Sequence, residues 1–184
     1  MTLFRLIGCI AVGSLCLFSC KWEFFSNPPN PTSPQEFKFY PGQISGWSES
    51  TNPDSFAIWT NQEMEANLDG GAAGWIQDGS VLSIQQDISG PSPEDILALV
   101  IMFNDSAQAL TAYNDEQSSN PTQDSIPNFQ KNVAFMANVG GVYTAYAHFK
   151  QFFFQLNVGG FPSEFEALKT TSSFLGLYQS DMKL

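Results

Sequence analysis

Along Val81 to Ile88 the chain alternates with a period of two: Leu82, Ile84, Gln86 and Ile88 share one face, and Ser83, Gln85 and Asp87 the other. That period predicts a strand with one face toward a core and one toward water. The next apolar run, Ile96 to Phe103, is hydrophobic at every position and is bounded by Pro93-Glu94-Asp95 and Asn104-Asp105-Ser106. Eight such residues between turn signals predict a central strand covered on both faces. A meander follows: Asn132 to Asn138, a turn through Gly140-Gly141, Val142 to His148, a tight connection at Lys150-Gln151, and Phe152 to Val158, closed by Gly159-Gly160.

Helical spacing appears in three places. Thr60 with Glu63 forms a capping box ahead of Met64 and Leu68, and Gly70-Gly71 stops that helix. Phe56, Ile58 and Trp59 either extend it or staple its entry. Asn104, Asp105 and Ser106 offer N-caps for a second helix to about Glu116, with Ala107, Leu110 and Tyr113 on one stripe. The polar stretch from Gln117 to Asn128 is long for a compact connection and reads as a surface loop. Ser163 with Glu166 starts a C-terminal helix in which Phe165, Leu168, Ser172 and Leu175 form the stripe, ending near Tyr178. This order implies an α+β fold: a single domain over residues 43–184, with an antiparallel sheet of about five strands covered by two to three helices.

Composition narrows the partners. Lys and Arg total 7 against 18 Asp and Glu, a net charge of −11, which disfavours nucleic acid and anionic lipid surfaces. All three cysteines, Cys9, Cys16 and Cys20, fall within the first twenty residues, so the body can hold no disulfide.

Those first residues have their own pattern. Arg5 precedes an apolar run from Leu6 to Phe18, the length of a signal-peptide core and short for a membrane span. Leu17-Phe18-Ser19-Cys20 then resembles the lipobox of bacterial lipoproteins: an aliphatic residue three places before the cysteine and a small one directly before it. The resemblance implies removal of residues 1–19 and a diacylglyceryl group on Cys20, usually with a third acyl chain on its amine. Two or more such chains hold a protein on a bilayer at about 0.8 kcal/mol per buried methylene. By the same family's rule, Lys21 in place of aspartate favours the outer membrane. Removing Arg5 leaves six basic residues against 18 acidic, a net charge of −12. Residues 20–42, rich in Pro, Asn and Ser, are expected to form an extended tether.

The body has a resemblance too. Gly46-Trp47, Asp69-Gly70-Gly71-Ala72, the strand Leu97 to Phe103 followed by Ser106-Ala107-Gln108-Ala109 and Tyr113, and Gly141-Val142-Tyr143 together resemble an uncharacterised family of bacterial envelope proteins. The similarity covers about Gln43 to Tyr178 and carries an envelope location but no activity. In topology the chain is also similar to the α-β-α sandwich of the photosystem P-subunit and nuclear-import-factor type, which bears on fold alone.

Candidate chemistry is sparse. His148 is the only histidine, which excludes a two-histidine zinc motif, and no Gly-x-Ser-x-Gly elbow accompanies it. The acidic residues sit mainly in caps and turns, and no calcium loop is present. Catalytic residues, metal ligands and cofactors are therefore none. Aromatic residues offer a binding reading: Trp47, Trp75 and Tyr143, with Tyr146, are candidates to line a cleft, although Tyr143 and Tyr146 fall on opposite faces of one strand. The expected function is a lipid-anchored envelope domain that binds a protein or small ligand without catalysis. The alternatives are an envelope hydrolase acting on glycan or ester, and a structural or assembly lipoprotein.

Overall fold

The computed structural model describes residues 31–68, 72–139 and 142–182. The expected signal segment with Cys20, and the expected turns at Gly70-Gly71 and Gly140-Gly141, lie outside the described residues. In chain order the elements are a 3-10 turn Pro34–Phe37, β1 Ser48–Glu49, β2 Phe56–Trp59, α1 Asn61–Asn67, α2 Ala73–Gln77, β3 Ser80–Ser89, β4 Asp95–Phe103, α3 Ser106–Ser119, β5 Gln123–Ser125, β6 Ala134–Val139, β7 Val142–Phe149, β8 Phe152–Gly159 and α4 Glu164–Asp181. The strands form one antiparallel sheet in the order β1-β3-β4-β8-β7-β6-β5, with β2 also paired to β3.

The α+β class and the antiparallel sheet match the sequence reading, but among the described residues the sheet has eight strands rather than about five and there are four α-helices rather than two to three. The extra strands are two to four residues long, too short to show a period: β1, β5, and β2, whose apolar residues stand directly before a helix cap. Part of the stretch expected to be a loop, Gln117 to Asn128, is the end of α3 and β5. The strand β4 is central, in register with β3 from Ile88↔Ile96 to Leu82↔Met102 and with β8 from Ile96↔Val158 to Met102↔Phe152.

Alternation then builds two cores. On one face Ile96, Ala98 and Val100 of β4 join Phe152, Phe154, Leu156 and Val158 of β8 under α4. On the other, Leu99, Ile101 and Phe103 join Phe153, Phe135 and Tyr146 under α1, α2 and α3. Helix stripes match the sequence reading in part. The face of α3 that packs is Ala109, Ala112 and Tyr113, and α4 buries Ala167, Thr171, Ser172, Phe174, Leu175 and Tyr178, so Tyr113, Ser172 and Leu175 lie as expected while Leu110 and Phe165 are exposed. Small alanines let α3 sit close to the sheet, a fit that hydrophobicity alone does not signal.

The N-terminal segment also departs from expectation. Among the described residues the packed body already includes Phe37 and Phe39, ahead of Gln43. Ser33 caps the 3-10 turn through a full capping box with Glu36. Beyond it Phe37 packs edge-on against Phe152, Phe154 and Tyr178, Phe39 lies 5.3 Å from Phe174, and Trp47 lies 5.0 Å from Phe174 and 6.1 Å from Phe161. Residues 34–47 thus run as a strap along α4. The composition that reads as a tether is interrupted by Phe37 and Phe39, each worth roughly 1.5–3 kcal/mol when buried.

One side chain fixes the strap to the sheet. The Gln86 carboxamide, 2% exposed, accepts from the Phe39 backbone N–H at 2.8 Å and donates to the Phe39 carbonyl at 2.9 Å. Both backbone polar groups of a buried residue are satisfied by one amide, in place of a ladder partner. Replacing Gln86→Leu leaves them unpaired, an expected loss of about 2–4 kcal/mol in urea unfolding; a loss under about 0.5 kcal/mol contradicts the clasp. At the other end of the strap's path Gly160, at φ 73°, lies where a Cβ would run into the backbone of Pro93 and Glu94. Gly160→Ala is expected to cost at least about 1–3 kcal/mol by the same measurement, and an unchanged midpoint contradicts the close approach.

Candidate functional site

The strap and α4 close one face of the sheet; the helices on the other face close only part of it. α3 starts at Asp105, whose carboxylate accepts from the N–H groups of Ala107 and Gln108 at 2.8 and 3.0 Å. From there the buried positions Ala112 and Tyr113 are followed, one turn on, by Glu116 on the same stripe. Helical spacing therefore carries a carboxyl group into the packed layer. The helix ends where Asn120 donates to the Glu116 carbonyl at 2.8 Å and Gln123 of β5 donates to the Asn120 carbonyl at 2.6 Å.

Beside Glu116, α2 places Trp75 over the sheet, its ring 5.8 Å from Phe153. Tyr146 of β7 lies 5.1 Å from Phe135 and 6.1 Å from Phe153. Burial pushes the Glu116 carboxyl above the usual carboxylate range, with the Asp115 charge adding to the rise, against the lowering contacts from Trp75 and Tyr146. Tyr146 is pushed up to about 12, first by burial and then by the Glu116 charge.

Past this wall run two neighbouring rows in which Gln85, Asp87, Leu97, Gln155 and Asn157 are half-buried and Leu99, Thr144 and Tyr146 are buried. Register places Asp87, Leu97, Asn157 and Thr144 in one row, and Gln85, Leu99, Gln155 and Tyr146 in the next. Asn157 accepts from the Thr144 hydroxyl at 3.1 Å and from the Gln155 amide at 3.3 Å, both at its Oδ1. Its own NH₂ group therefore points its donors away from those two neighbours. Asp95 lies diagonally from Asp87, and the missing side chain of Gly159 makes room for its carboxylate. Asp87 is raised by burial and by the nearby Asp95 charge.

The sequence-predicted residues divide between the two faces. Trp47 and Tyr143 belong to the strap and α4 side, Trp47 wedged over Gly90 and Tyr143 packed beside Val158, whereas Trp75 and Tyr146 stand on the half-open side. The three named candidates do not share a cleft. His148 is held by structure: Nε2 is 2.9 Å from the Asn132 carbonyl oxygen, and its ring is 4.8 Å from Tyr113. Among the described residues no three His, Cys, Asp or Glu side chains converge as a metal site. The residues that sequence reasoning missed are Glu116, Gln155 and Asn157. Gln155 and Asn157 interrupt an otherwise apolar strand at alternate positions, a signal that was available; Glu116 lacked one because the helix was expected to end there.

Such a surface can hydrogen-bond and can take positive charge. Comparison with family models, with curated proteins and with solved structures finds no match for this chain.

The raised carboxyls set a pH dependence. A carboxyl whose folded value lies above its unfolded value adds stability below the unfolded value and loses it as pH rises through the folded one. Glu116→Gln is therefore expected to equal the parent chain near pH 4, about the ordinary glutamate value, and to unfold at a higher temperature at neutral pH. A variant less stable than the parent at neutral pH contradicts this.

Proposed function

We propose that the chain is a lipid-anchored protein of the bacterial cell envelope, held at the outer membrane through acyl chains on Cys20, whose body is a non-enzymatic binding domain. The observation that carries this reading is the apolar run ending in Leu17-Phe18-Ser19-Cys20, behind Arg5. Among the described residues no helix is long and apolar enough to cross a membrane.

Binding is favoured over bond cleavage by the character of the half-open face. It offers the amides of Gln85, Gln155 and Asn157 and the carboxyls of Asp87, Asp95 and Glu116, a set that matches a hydrogen-bonding ligand of positive charge.

The test is expression of the full chain in a Gram-negative host. The mature protein is expected to begin at Cys20, to carry the mass of its acyl chains and to partition into detergent. Cys20→Ala is expected to move it to the aqueous phase. Recovery of the parent chain in the aqueous phase with an unmodified thiol at Cys20 overturns the proposal.

A further inference from the structure

We infer that the half-open sheet face, bounded by Trp75 and Glu116, takes a basic peptide segment in extended conformation, an inference that rests on the body being a binding domain. Three observations converge on that ligand chemistry. The first is the state of the polar groups. Asn157 uses its oxygen on Thr144 and Gln155, leaving the NH₂ group oriented to the half-buried surface. Gln85 and Asp87, on the same face of β3, make no side-chain hydrogen bond among the described residues. An extended peptide backbone carries a donor and an acceptor at every residue and matches such amides.

The second is shape. Leu97 lies between Asp87 and Asn157 in the row and is itself half-buried. A lysine side chain combines an apolar stem with a charged tip, so its methylenes can lie on Leu97 while the ammonium group reaches Asp87 and Asp95. A neutral polyol would leave that pair of carboxylates facing each other unrelieved.

The third is charge complementarity. Asp87 and Asp95 stand diagonally across β3 and β4 at one end of the face, and Glu116 stands at the other. Two ion pairs of the described residues, Lys38–Glu49 and Lys169–Glu166, lie elsewhere. Among the described residues no lysine pairs with Asp87, Asp95 or Glu116. A net charge of −12 on the mature chain attracts cations generally; the paired carboxylates around Leu97 give that attraction a location.

The experiment measures binding of a fluorescent hexalysine peptide to the acylated full chain in uncharged detergent, with hexaglutamate as the opposite-charge control. Asp87→Asn with Asp95→Asn removes two charges at the face. Glu65→Gln with Glu164→Gln removes two exposed charges from α1 and α4. The expected result is that hexalysine binds, hexaglutamate does not, and the face variant weakens binding about tenfold or more while the distal variant changes it less than about twofold. Equal weakening by both variants reduces the effect to net charge and overturns the inference, as does absence of hexalysine binding. Should the face variant unfold, Gln155→Glu serves in its place, with tighter hexalysine binding expected and unchanged binding counting against the site. Detergent partitioning of the same samples scores the lipid anchor separately, so a failed peptide titration and a failed anchor are read from different measurements.

Discussion

Strands β4 and β8 carry apolar side chains on both faces for most of their length, and everything else in the fold answers that constraint. Apolar surface on both sides of a sheet requires a layer on each. On one side α4 supplies the layer and the strap, residues 34–47, completes it with Phe37, Phe39 and Trp47. On the other side α1 and α2 are seven and five residues long, and α3 crosses with its buried alanines. These helices do not reach the end of the sheet where β3 and β8 change from apolar to polar side chains. The polar half-open face is where the sequence of the strands and the length of the helices meet.

Closure of the first face has a consequence for where a ligand can sit. Trp47, the aromatic residue most suggestive of a binding platform, is consumed by packing between Phe161 and Phe174. Gln86 belongs to the same logic. A glutamine on the inward face of a strand is costly unless its amide is used, and here both ends are used on the backbone of Phe39. The strap is thereby part of the core, and the half-buried polar surface lies on the opposite side of the sheet.

Much of the fold was legible in the sequence because long periodic stretches dominate it. The period of two in Val81 to Ile88, the continuous apolar run of β4 and the glycine-punctuated meander each give a strand within one or two residues of the observed one. The capping box at Thr60 and Glu63 is present as read. The elements that escaped have little local signal: β1 and β5 are defined by pairing partners distant in sequence, and β2 by its ladder to β3. The strap escaped because proline and asparagine outweigh two phenylalanines in any composition window, whereas in the fold those two rings decide the outcome. The candidate site was less legible. Which aromatic residues share a surface depends on which layer each element joins, and nothing near Trp47 or Trp75 in the chain encodes that. Glu116 became visible only once the extra turn of α3 had carried it over the sheet.

The division into one sealed and one half-open face depends on the strap being part of the body, and amide hydrogen exchange at Phe39 tests it most directly. Exchange at Phe39 as slow as at Val100 and Phe154 of the central strands is the result predicted by burial of its N–H against Gln86. Exchange at the rate of an open chain, with β4 still protected, would mean that the strap is loose and that the face beneath α4 is open to ligands as well.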